Sequence, residues 1–550
     1  MSESSGATPS APASGHELLR TLRTLGVLVR AGVVRPGRPG RVVGQLLALR
    51  RWGATAAGAY RAAAMRAPNT VAYIDDARTV SYAQLQQRTT RLANGLAGRG
   101  VREGTRVGVL CRNHGLVIET LVACGSLGAD TVMLNTGLAG QQLAEALENT
   151  GITTVIADAE FADLCAWLPE RVDRIVAWGG AVDAAESTVD GLAEHASDAP
   201  RTPPHQAGRL IMLTSGTTGP PKGARRPTPK GPQDAAAVLS RIPLRSRERL
   251  LVTAPLFHTW GLAGMQLAMA LRATLVLQRR FDPEELLRTV AQQRCTALFA
   301  VPVMLQRIME LPAAVRARYD TSSLRIVACS GSAMPPELTT RFMDAFGDIV
   351  YNLYGSTEVS WATIATPAEL RASPTTAGRP PLGTRLAILD SEGRAVPAGA
   401  QGRIFVGNDM LFEGYTTGQG KRVEHGLMET GDLGHVDSDG LLHVAGRDDD
   451  MIVSGGENVF PRPVEEAIVT LPQVREVAVV GVPDEEFGRR FAAYVVTEEG
   501  ASLGAEEVRA RVRERLARFS VPREVHFLDA LPRNATGKVL KRQLAPPRQD

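Results

Sequence analysis

Residues 209–223 read RLIMLTSGTTGPPKG, a short apolar run followed by a loop of glycines, hydroxyl side chains and prolines with a lysine near its end. The run at 209–213 has the length and apolar content of a buried strand. The glycines let the backbone approach a ligand closely and turn its N–H groups inward, and the hydroxyls and the lysine add donors. The stretch predicts a loop that holds phosphate groups, although it does not match the Walker A pattern GxxxxGK[ST]. Its candidate ligands are Thr214, Ser215, Gly216, Thr217, Thr218, Gly219 and Lys222.

The regions around this loop alternate between short apolar runs and segments with helical spacing. Runs such as 105–111 and 297–301 read as strands with helices between them, which is typical of a mainly parallel sheet covered by helices. After about residue 366, Gly, Pro and Asp become frequent between short strands, which indicates a small β subdomain. We therefore predict an α/β fold, with a large N-terminal domain over 67–448 and a small α+β C-terminal domain over 449–550.

The chain begins with a polar stretch and continues with a basic one. Residues 1–15 are small, polar and contain proline, which predicts a disordered tail. Residues 18–74 contain ten arginines and no Asp or Glu, so the rest of the chain carries a formal charge near −6. Apolar residues are mixed with these arginines on both sides of a turn-like stretch at 35–40, and we expect two basic amphipathic helices in an extension over 16–66. Two interpretations stay open: the helices lie on an anionic membrane surface, or they pack on the body or in a homodimer.

Composition argues against several classes of protein. Hydrophobic residues make up 44% of the 550 residues and charged residues 22%, as in ordinary globular proteins. Five scattered cysteines without a CxxC pair argue against a disulfide scaffold or a cysteine-type zinc site. A net charge of +4 does not describe a globally basic nucleic-acid binder.

Targeting and membrane signals are also weak. The start lacks the basic region and uninterrupted apolar core of a signal peptide, so we expect a cytoplasmic protein, with peripheral contact to the membrane as an open option. The uncharged run 250–271 has the length of a membrane span. Pro255, Gly261 and Gly264 inside it favour a strand, a turn and a buried helix instead.

The segment 351–358 reads YNLYGSTE and contains residue types that suit nucleotide binding. Tyr354 can stack on a purine face, and Gly355 permits close approach of the backbone. Thr357 can donate a hydrogen bond to an α-phosphate. Glu358 offers a hard oxygen ligand of the kind that Mg²⁺ prefers.

Two shorter motifs point to the same ligand. Residues 331–335 read GSAMP and lie between a predicted strand and a predicted helix. Residues 430–434 read TGDLG, which we interpret as a tight turn followed by a carboxylate. The Asp432 carboxylate can accept hydrogen bonds from both hydroxyls of a ribose.

Together these motifs resemble those of the adenylate-forming superfamily, which contains acyl-CoA synthetases, adenylation domains of peptide synthetases and luciferases. The resemblance extends from about Tyr82 to Leu544 and rests on several separate motifs in the expected order. It implies a nucleotide site beyond the phosphate loop that is built by Gly331, Ser332, Asn352, Tyr354, Gly355, Asp432 and Arg447.

The resemblance also implies that the C-terminal domain is a mobile lid. Asp449 matches the residue about which the lid of the family rotates. Lys538, in PRNATGK at 532–538, matches the catalytic lysine that one orientation of the lid brings to the α-phosphate. Gly456 lies on the loop that the other orientation brings towards the pantetheine thiol.

Residues 254–261 read APLFHTWG and resemble the segment between the ATP site and the acyl site. The resemblance implies that His258 lies beside the reacting carboxylate and that Trp260 lines the acyl pocket. With Thr357, Glu358 and Lys538, His258 completes the expected catalytic set, and Glu358 is the expected metal ligand.

The implied reaction activates a carboxylic acid with ATP. The carboxylate attacks the α-phosphorus, pyrophosphate leaves and an acyl-adenylate forms; CoA then takes the acyl group and AMP leaves. ATP, Mg²⁺ and CoA are therefore the expected cofactors and co-substrates. We expect a medium- or long-chain fatty acid, because the pattern looks closest to fatty acyl-CoA synthetases and the N-terminus is basic and apolar.

Several alternatives remain. The acid can instead be aromatic or short, and the acyl group can pass to a carrier protein rather than to CoA. A non-catalytic binder that kept the fold is a different class, against which the intact motif residues argue. A kinase-like phosphoryl transferase would release ADP, and the chain has no Walker or kinase signature.

Overall fold

The computed structural model describes residues 15–179, 188–214, 222–227, 231–416, 418, 420–448, 450–454, 457–484, 488–517, 520–534 and 537–544. Within them the α-helices are α1 (Gly15–Arg30), α2 (Pro39–Trp52), α3 (Ala56–Arg66), α4 (Tyr82–Gly98), α5 (Gly115–Leu127), α6 (Gly140–Thr150), α7 (Ala162–Cys165), α8 (Val189–His195), α9 (Gln233–Leu239), α10 (Thr259–Leu271), α11 (Pro283–Gln293), α12 (Pro302–Glu310), α13 (Ala313–Arg316), α14 (Pro336–Phe346), α15 (Pro367–Ala372), α16 (Pro461–Ile468) and α17 (Ala505–Arg515).

The strands in the same residues are β1 (Val71–Ile74), β2 (Thr79–Ser81), β3 (Arg106–Leu110), β4 (Asp130–Met133), β5 (Thr154–Ala157), β6 (Asp173–Val176), β7 (Leu210–Thr214), β8 (Lys222–Arg225), β9 (Arg249–Val252), β10 (Thr274–Leu277), β11 (Ala297–Ala300), β12 (Ile326–Cys329), β13 (Val350–Tyr354), β14 (Thr363–Ala365), β15 (Arg385–Leu389), β16 (Gly402–Gly407), β17 (Val423–Glu424), β18 (Leu427–Val436), β19 (Leu442–Arg447), β20 (Ile452–Ser454), β21 (Glu457–Val459), β22 (Val474–Asp484), β23 (Gly488–Thr497) and β24 (Glu524–Phe527).

The large domain is built on two mainly parallel sheets. The first has eight strands in the order β14-β13-β12-β11-β9-β10-β1-β2, and only its two edge strands run antiparallel to their neighbours. Every residue of β10, β11 and β12 is buried, as expected for parallel strands covered on both faces. The second sheet has the order β6-β5-β3-β4-β7-β8, and β8 is its antiparallel edge.

Local sequence explains where several helices of this domain begin. Ser81 caps α4 and forms a capping box with Gln84. Asp282 caps α11, and Pro283 occupies its first position, where the missing N–H costs nothing. The predicted strand, turn and buried helix over 250–271 are confirmed by β9 and α10.

Two smaller units follow the large sheets. The predicted β subdomain is an antiparallel sheet of β15 to β19, in which β18 lies between β16 and β19. The C-terminal domain has a sheet of order β21-β20-β23-β22, with β24 on β23, and helices α16 and α17. These elements confirm the predicted fold class.

The last helix is shorter than its apolar spacing predicts. Helical spacing predicts a helix over 506–519, but α17 ends at Arg515 and Leu516 has an extended backbone. Val508 and Val512 are fully buried in the core of the C-terminal domain. Leu516 packs against the same core from outside the helix, so apolar spacing continued after the helix had ended.

The N-terminal extension contains three helices where we expected two. Gly53 adopts a left-handed backbone, with φ of 70°, and ends α2. Thr55 then caps α3 by accepting a hydrogen bond from the Gly58 N–H at 3.1 Å. Helix α1 packs against α9, and α3 packs against α4, α5 and α10. Among the described residues no helix is both long enough and apolar enough to cross a membrane.

Candidate active site

Four neighbouring strands of the eight-stranded sheet deliver the candidate residues to one place. Strands β13, β12, β11 and β9 are adjacent and parallel, so their carboxyl ends meet at one edge. The segments that follow these strands carry Gly355 and Thr357, Gly331 and Ser332, Val301, and His258. In α/β proteins this edge is where ligands bind. A connected cleft of about 2930 Å³ opens there, continues between the large and C-terminal domains, and reaches the N-terminal helices and Arg272.

The ribose-binding candidates form one cluster across two antiparallel strands. Asp432 of β18 lies directly opposite Arg447 of β19, and their side chains are 3.7 Å apart. The hydroxyl of Tyr354 donates to the second carboxylate oxygen of Asp432 at 2.5 Å. Burial raises the pKa of Asp432, against the opposing effects of the Tyr354 hydroxyl and the positive charges of Arg447, Lys421 and Lys538.

The local structure around Asp432 differs from the prediction. Residues 430–432 do not form a tight turn; they lie inside the ten-residue strand β18. Gly431 has φ of 86° and the pairing with β19 shifts between Leu433 and Gly434, so the strand is irregular where the carboxylate emerges. The short sequence TGD is common to turns and to such irregular strands, which is why the motif alone did not distinguish them.

The metal candidate is held by a residue that the sequence analysis missed. The Tyr415 hydroxyl donates to Oε1 of Glu358 at 2.7 Å. Burial alone would raise the pKa of Glu358, but hydrogen bonds from Tyr415 and Ser356 outweigh it and lower that pKa. An ionised carboxylate in the cleft fits Mg²⁺, which is usually held by one or two carboxylates together with substrate phosphates and water.

The remaining catalytic candidates also line the cleft. Oγ1 of Thr357 is 3.4 Å from Oγ1 of Thr259, and the Thr357 carbonyl accepts from Arg226 at 3.3 Å. Burial, and then the positive charge of Lys538, lower the pKa of His258 to about 4, so the imidazole is neutral at pH 7. Burial also lowers the pKa of Arg226 to about 10. Arg226 was not predicted, since it is one of two arginines in an unremarkable stretch.

Trp260 is part of the cleft wall and is fixed in place. It is 5% exposed, its indole N–H donates to the Ala300 carbonyl at 3.0 Å, and its ring lies 4.9 Å from that of Phe299. A side chain held in this way is a rigid wall rather than a gate. Its role in the acyl pocket stays a prediction.

Lys538 enters the cleft on a short hairpin of the C-terminal domain. Arg533 and Val539 form an isolated β-bridge, and the Arg533 guanidinium donates to the Gly537 carbonyl at 2.6 Å and to Glu476 at 2.9 Å. Glu476 in turn is 3.3 Å from the side-chain amide of Gln306 in α12 of the large domain. This chain of contacts joins the hairpin to the large domain.

Gly537 shows how closely the hairpin approaches. Its φ of 81° lies in the left-handed region, and a Cβ atom there would be 2.5 Å from Cγ1 of Val303 in α12. The residue beside the lysine is therefore a contact point between the two domains. The C-terminal domain stands in the orientation that brings Lys538 into the cleft with His258 and Asp432.

The other candidates are placed as follows. Gly331, Ser332, Asn352 and Gly355 line the cleft, and a Cβ atom on Gly355 would be 2.3 Å from the Ser360 carbonyl oxygen. Thr214 and Lys222 are paired across β7 and β8 at the base of the phosphate loop, and nothing is described of their side chains. The loop candidates Ser215, Gly216, Thr217, Thr218 and Gly219, the hinge candidate Asp449 and Gly456 lie outside the described residues.

Comparison with known proteins shows the family to which the chain belongs. The family model for AMP-binding enzymes matches residues 60–416, and the model for the AMP-binding enzyme C-terminal domain matches residues 463–538. The chain belongs to the AMP-binding enzyme family. The first match begins inside α3, so α1 and α2 precede the part that the family shares.

Relatives within the AMP-binding enzyme family span nearly the whole chain. A feruloyl-CoA synthase of an Amycolatopsis species is 37% identical over 87% of this chain and 96% of its own length. An indoleacetate–CoA ligase of Aromatoleum aromaticum is 35% identical over 84% of this chain and 92% of its own. A long-chain-fatty-acid–CoA ligase of Mycobacterium tuberculosis is 30% identical over 86% and 94%.

A solved member of the family has the same fold. The o-succinylbenzoate CoA synthetase of Bacillus subtilis, in complex with its acyl-adenylate intermediate, superposes with a TM-score of 0.78 at 28% identity, over 89% of this chain and 98% of its own. The relatives named here are all acid–CoA ligases.

Proposed function

We propose that this protein is an ATP-dependent acid–CoA ligase that forms an acyl-adenylate and then an acyl-CoA, and that its acid is aromatic. The observation that carries the proposal is the position of Lys538. A flexible ammonium enters a cleft whose other walls carry a neutral imidazole, an ionised Glu358 and the Asp432 cluster. This set of groups suits transfer of an adenylyl group to a carboxylate.

The surroundings of each candidate residue suit a particular step of the proposed reaction. Asp432 and Arg447 bind the ribose, and Tyr354 orients the Asp432 carboxylate through its hydroxyl. Lys538 stabilises the negative charge that develops at the α-phosphate as pyrophosphate leaves. The neutral His258 can donate or accept a hydrogen bond at the reacting carboxylate without adding charge.

Glu358 fits as the protein ligand of Mg²⁺, which when bound neutralises charge on the phosphates. Thr357 precedes it in the chain and can donate to the same phosphate group. The Tyr415 hydroxyl holds the Glu358 carboxylate and favours its ionised form, so the site is charged before a nucleotide arrives.

The aromatic substrate is supported by the relatives and by the cleft wall. The feruloyl-CoA synthase and the indoleacetate–CoA ligase share more identity with this chain than the fatty-acid ligase does. Trp260, Trp361 and Met410 line the cleft and are at most 9% exposed. Flat, fixed aromatic walls favour a planar acid over a flexible chain. The expected preference for a medium- or long-chain fatty acid is therefore our second candidate, favoured by the mycobacterial relative.

A panel of acids tests the proposal. Purified protein, Mg-ATP and CoA are incubated with ferulate, indoleacetate, benzoate, decanoate or palmitate, and AMP, pyrophosphate and acyl-CoA are measured by mass spectrometry. The highest kcat/KM for an aryl acid supports the proposal, and a peak at palmitate replaces it with the second candidate. Pyrophosphate without acyl-CoA would move the acceptor to a carrier protein. Absence of pyrophosphate with every acid, in wild type as in Lys538→Ala, would contradict adenylation.

A further inference from the structure

A small cavity lined by arginines lies beside the N-terminal helices. Its volume is about 300 Å³, and its charged lining consists of arginines from the turn after α1, from α2 and α3, and from the segments before β9 and β10. They are Arg35, Arg38, Arg41, Arg66, Arg247 and Arg272. We refer to these six residues as the arginine pocket.

The arginine pocket has no acidic counterpart in the part of the chain that the structure describes. No described carboxylate is within 4.0 Å of any of the six guanidinium groups. Arg66 donates to the carbonyls of Arg35 and Pro36, and Arg272 donates to the carbonyls of Gly32 and Val33. These neutral partners position the guanidinium groups and leave their charge uncompensated.

Arg272 shows the electrostatic consequence. It is 4% exposed, and burial followed by the neighbouring Arg66, Arg247 and Arg35 lowers its pKa. Burying a cation among other cations is unfavourable unless another interaction compensates the lost hydration and the repulsion. An anion in the cavity would lower the energy of all six charges together.

This pocket lies away from the nucleotide site, although Arg272 lines both the pocket and the far end of the cleft. Helix α10 begins directly after His258 in the cleft and ends directly before Arg272 in the pocket. Its thirteen residues span about 20 Å. Arg247 and Arg272 also lie at the amino ends of β9 and β10, whereas His258 follows the carboxyl end of β9. The anion that fits the pocket is therefore not the ATP of the proposed reaction.

The helices beside the pocket expose an apolar surface. Of the thirteen large hydrophobic side chains that are exposed in the described residues, ten lie between residues 18 and 65. In α1 they are spaced on one face, and each of them is about half exposed or more. The ten are Leu18, Leu19, Leu22, Leu25, Val29, Val34, Val43, Leu46, Leu47 and Met65.

We propose that α1, α2 and the turn between them dock on an anionic lipid bilayer, with the apolar side chains in its interface and a lipid phosphate in the arginine pocket. Exposed leucines and valines flanked by arginines are the composition of helices that lie in a membrane interface. Each arginine close to an anionic surface strengthens binding about fivefold. A cavity of about 300 Å³ is roomy for one phosphate group with some of its water.

Charge favours the bilayer over the other occupants. Residues 18–74 contain ten arginines and no acidic residue. A second copy of this chain docked through the same surface would place its ten arginines next to these ten, and the like charges would repel. A nucleic acid would satisfy the charge but would leave the apolar face in water. An anionic bilayer is the surface that satisfies both features.

Vesicle sedimentation with the full chain tests the proposal. Vesicles of phosphatidylcholine alone are compared with vesicles that contain about 30% phosphatidylglycerol, at low and at high salt. We expect binding only to the anionic vesicles and at low salt. The variant R35Q/R38Q/R41Q should weaken binding on the order of a hundredfold, and L22S/L25S/L46S by about tenfold or more. These side chains have no described hydrogen bond or ion pair, so the fold should be retained, which circular dichroism can verify.

Matched controls remove the same groups elsewhere. R102Q/R171Q/R341Q removes three charges and V423S/F527S removes two exposed hydrophobic side chains outside the surface. Both should bind vesicles within about twofold of wild type, because attraction to the surface decays within about 10 Å. Equal weakening by the control and pocket triples would overturn the proposal.

Two further outcomes would assign the surface differently. Tight binding of inorganic phosphate, with the vesicles still unbound, would mean a site for a soluble anion. A dimer by light scattering that dissociates in L22S/L25S/L46S, again without vesicle binding, would mean an interface between copies. Neither outcome touches the proposed ligase activity, which is measured in solution without vesicles.

Discussion

The catalytic candidates and the arginine pocket lie near opposite ends of α10, although the cleft also reaches Arg272. Their positive charges have different surroundings. In the cleft, Arg447 faces Asp432, and Lys538 approaches the same carboxylate from the other domain. In the pocket, the described neighbours of the Arg272 guanidinium are other arginines, neutral carbonyl groups and the Ser246 hydroxyl. Charges that are paired within the chain are already oriented before a substrate binds. Positive charges without such partners are stabilised when an anion binds from outside the chain. The following predictions test that contrast.

The largest effect is expected for the lysine of the cleft. Lys538→Ala should lower the rate of acyl-adenylate formation by about 10²–10³-fold, because the charge that develops at the α-phosphate loses its main partner. Transfer to CoA from supplied acyl-adenylate should change little. Pyrophosphate release and thioester formation are measured separately, with Lys541→Ala as the control that removes a nearby positive charge. Equal losses in the two half-reactions would contradict the assigned role.

The next effect concerns the domain contact beside that lysine. Gly537→Ala should slow adenylation by about 10–100-fold, because the new methyl group would meet Val303 and displace the hairpin. Gly500→Ala is the matched control, since Gly500 also has a positive φ, of 75°, but has nothing within 4 Å of the added atom. If both variants lose stability equally and adenylate equally well, the contact does not position Lys538.

A smaller effect is expected within the ribose cluster. Tyr354→Phe removes the hydroxyl that donates to Asp432 and should raise the KM for ATP about tenfold. That hydroxyl lowers the pKa of Asp432, so without it the carboxyl group is protonated at higher pH. The KM for ATP should therefore begin to rise at a higher pH in the variant than in wild type as the pH is lowered. Parallel profiles would show that the hydroxyl does not influence the carboxylate.

The neutral imidazole of the cleft gives a pH-dependent effect on stability. The pKa of His258 is about 4 in the folded protein and about 6.5 when unfolded. Between these two pH values the imidazole is protonated in the unfolded chain but not in the folded one. This residue should thus destabilise the fold as the pH falls from about 6.5 to about 4. His258→Gln should reduce the loss of Tm over that window by a few degrees in thermal melts. An identical loss in the variant would place the titration elsewhere.

The smallest effect is expected in the pocket when no membrane is present. R35Q/R38Q/R41Q should change kcat/KM in solution by less than about twofold, since the pocket lies about 20 Å from His258. Its Tm should be equal or slightly higher, because like charges that repel one another have been removed. A clear fall in Tm would show that the arginines stabilise the fold through contacts within the chain, and the contrast with the cleft would no longer hold.

Much of the fold followed from local pattern. The alternation of strands and helices predicted parallel sheets, and β3 and β11 lie within one residue of the predicted runs. The predicted helix boundaries were wrong where the apolar spacing of the sequence continues but the backbone leaves the helix. A left-handed glycine divides the second N-terminal helix, and α17 ends while its apolar spacing continues.

The site was predictable where chemistry lies in contiguous motifs and not where it depends on partners. Tyr354 ends β13, and Thr357 and Glu358 follow it, so one short segment contains most of the candidate nucleotide-binding residues. Tyr415 is 57 residues from Glu358 in the chain, and no local pattern connects them. The roles of the predicted site residues stay predictions until the variants are measured.

The sequence by itself determined the class of fold, the phosphate-loop motif and the ionisable residues available for catalysis, because these depend on local spacing and residue type. Only the tertiary structure decided which charges meet. The pairing of β18 with β19 places Arg447 opposite Asp432, and the packing of the N-terminal helices gathers six arginines from five separate segments around one cavity. Electrostatic energy depends on distance in space, and a sequence lists only distance along the chain.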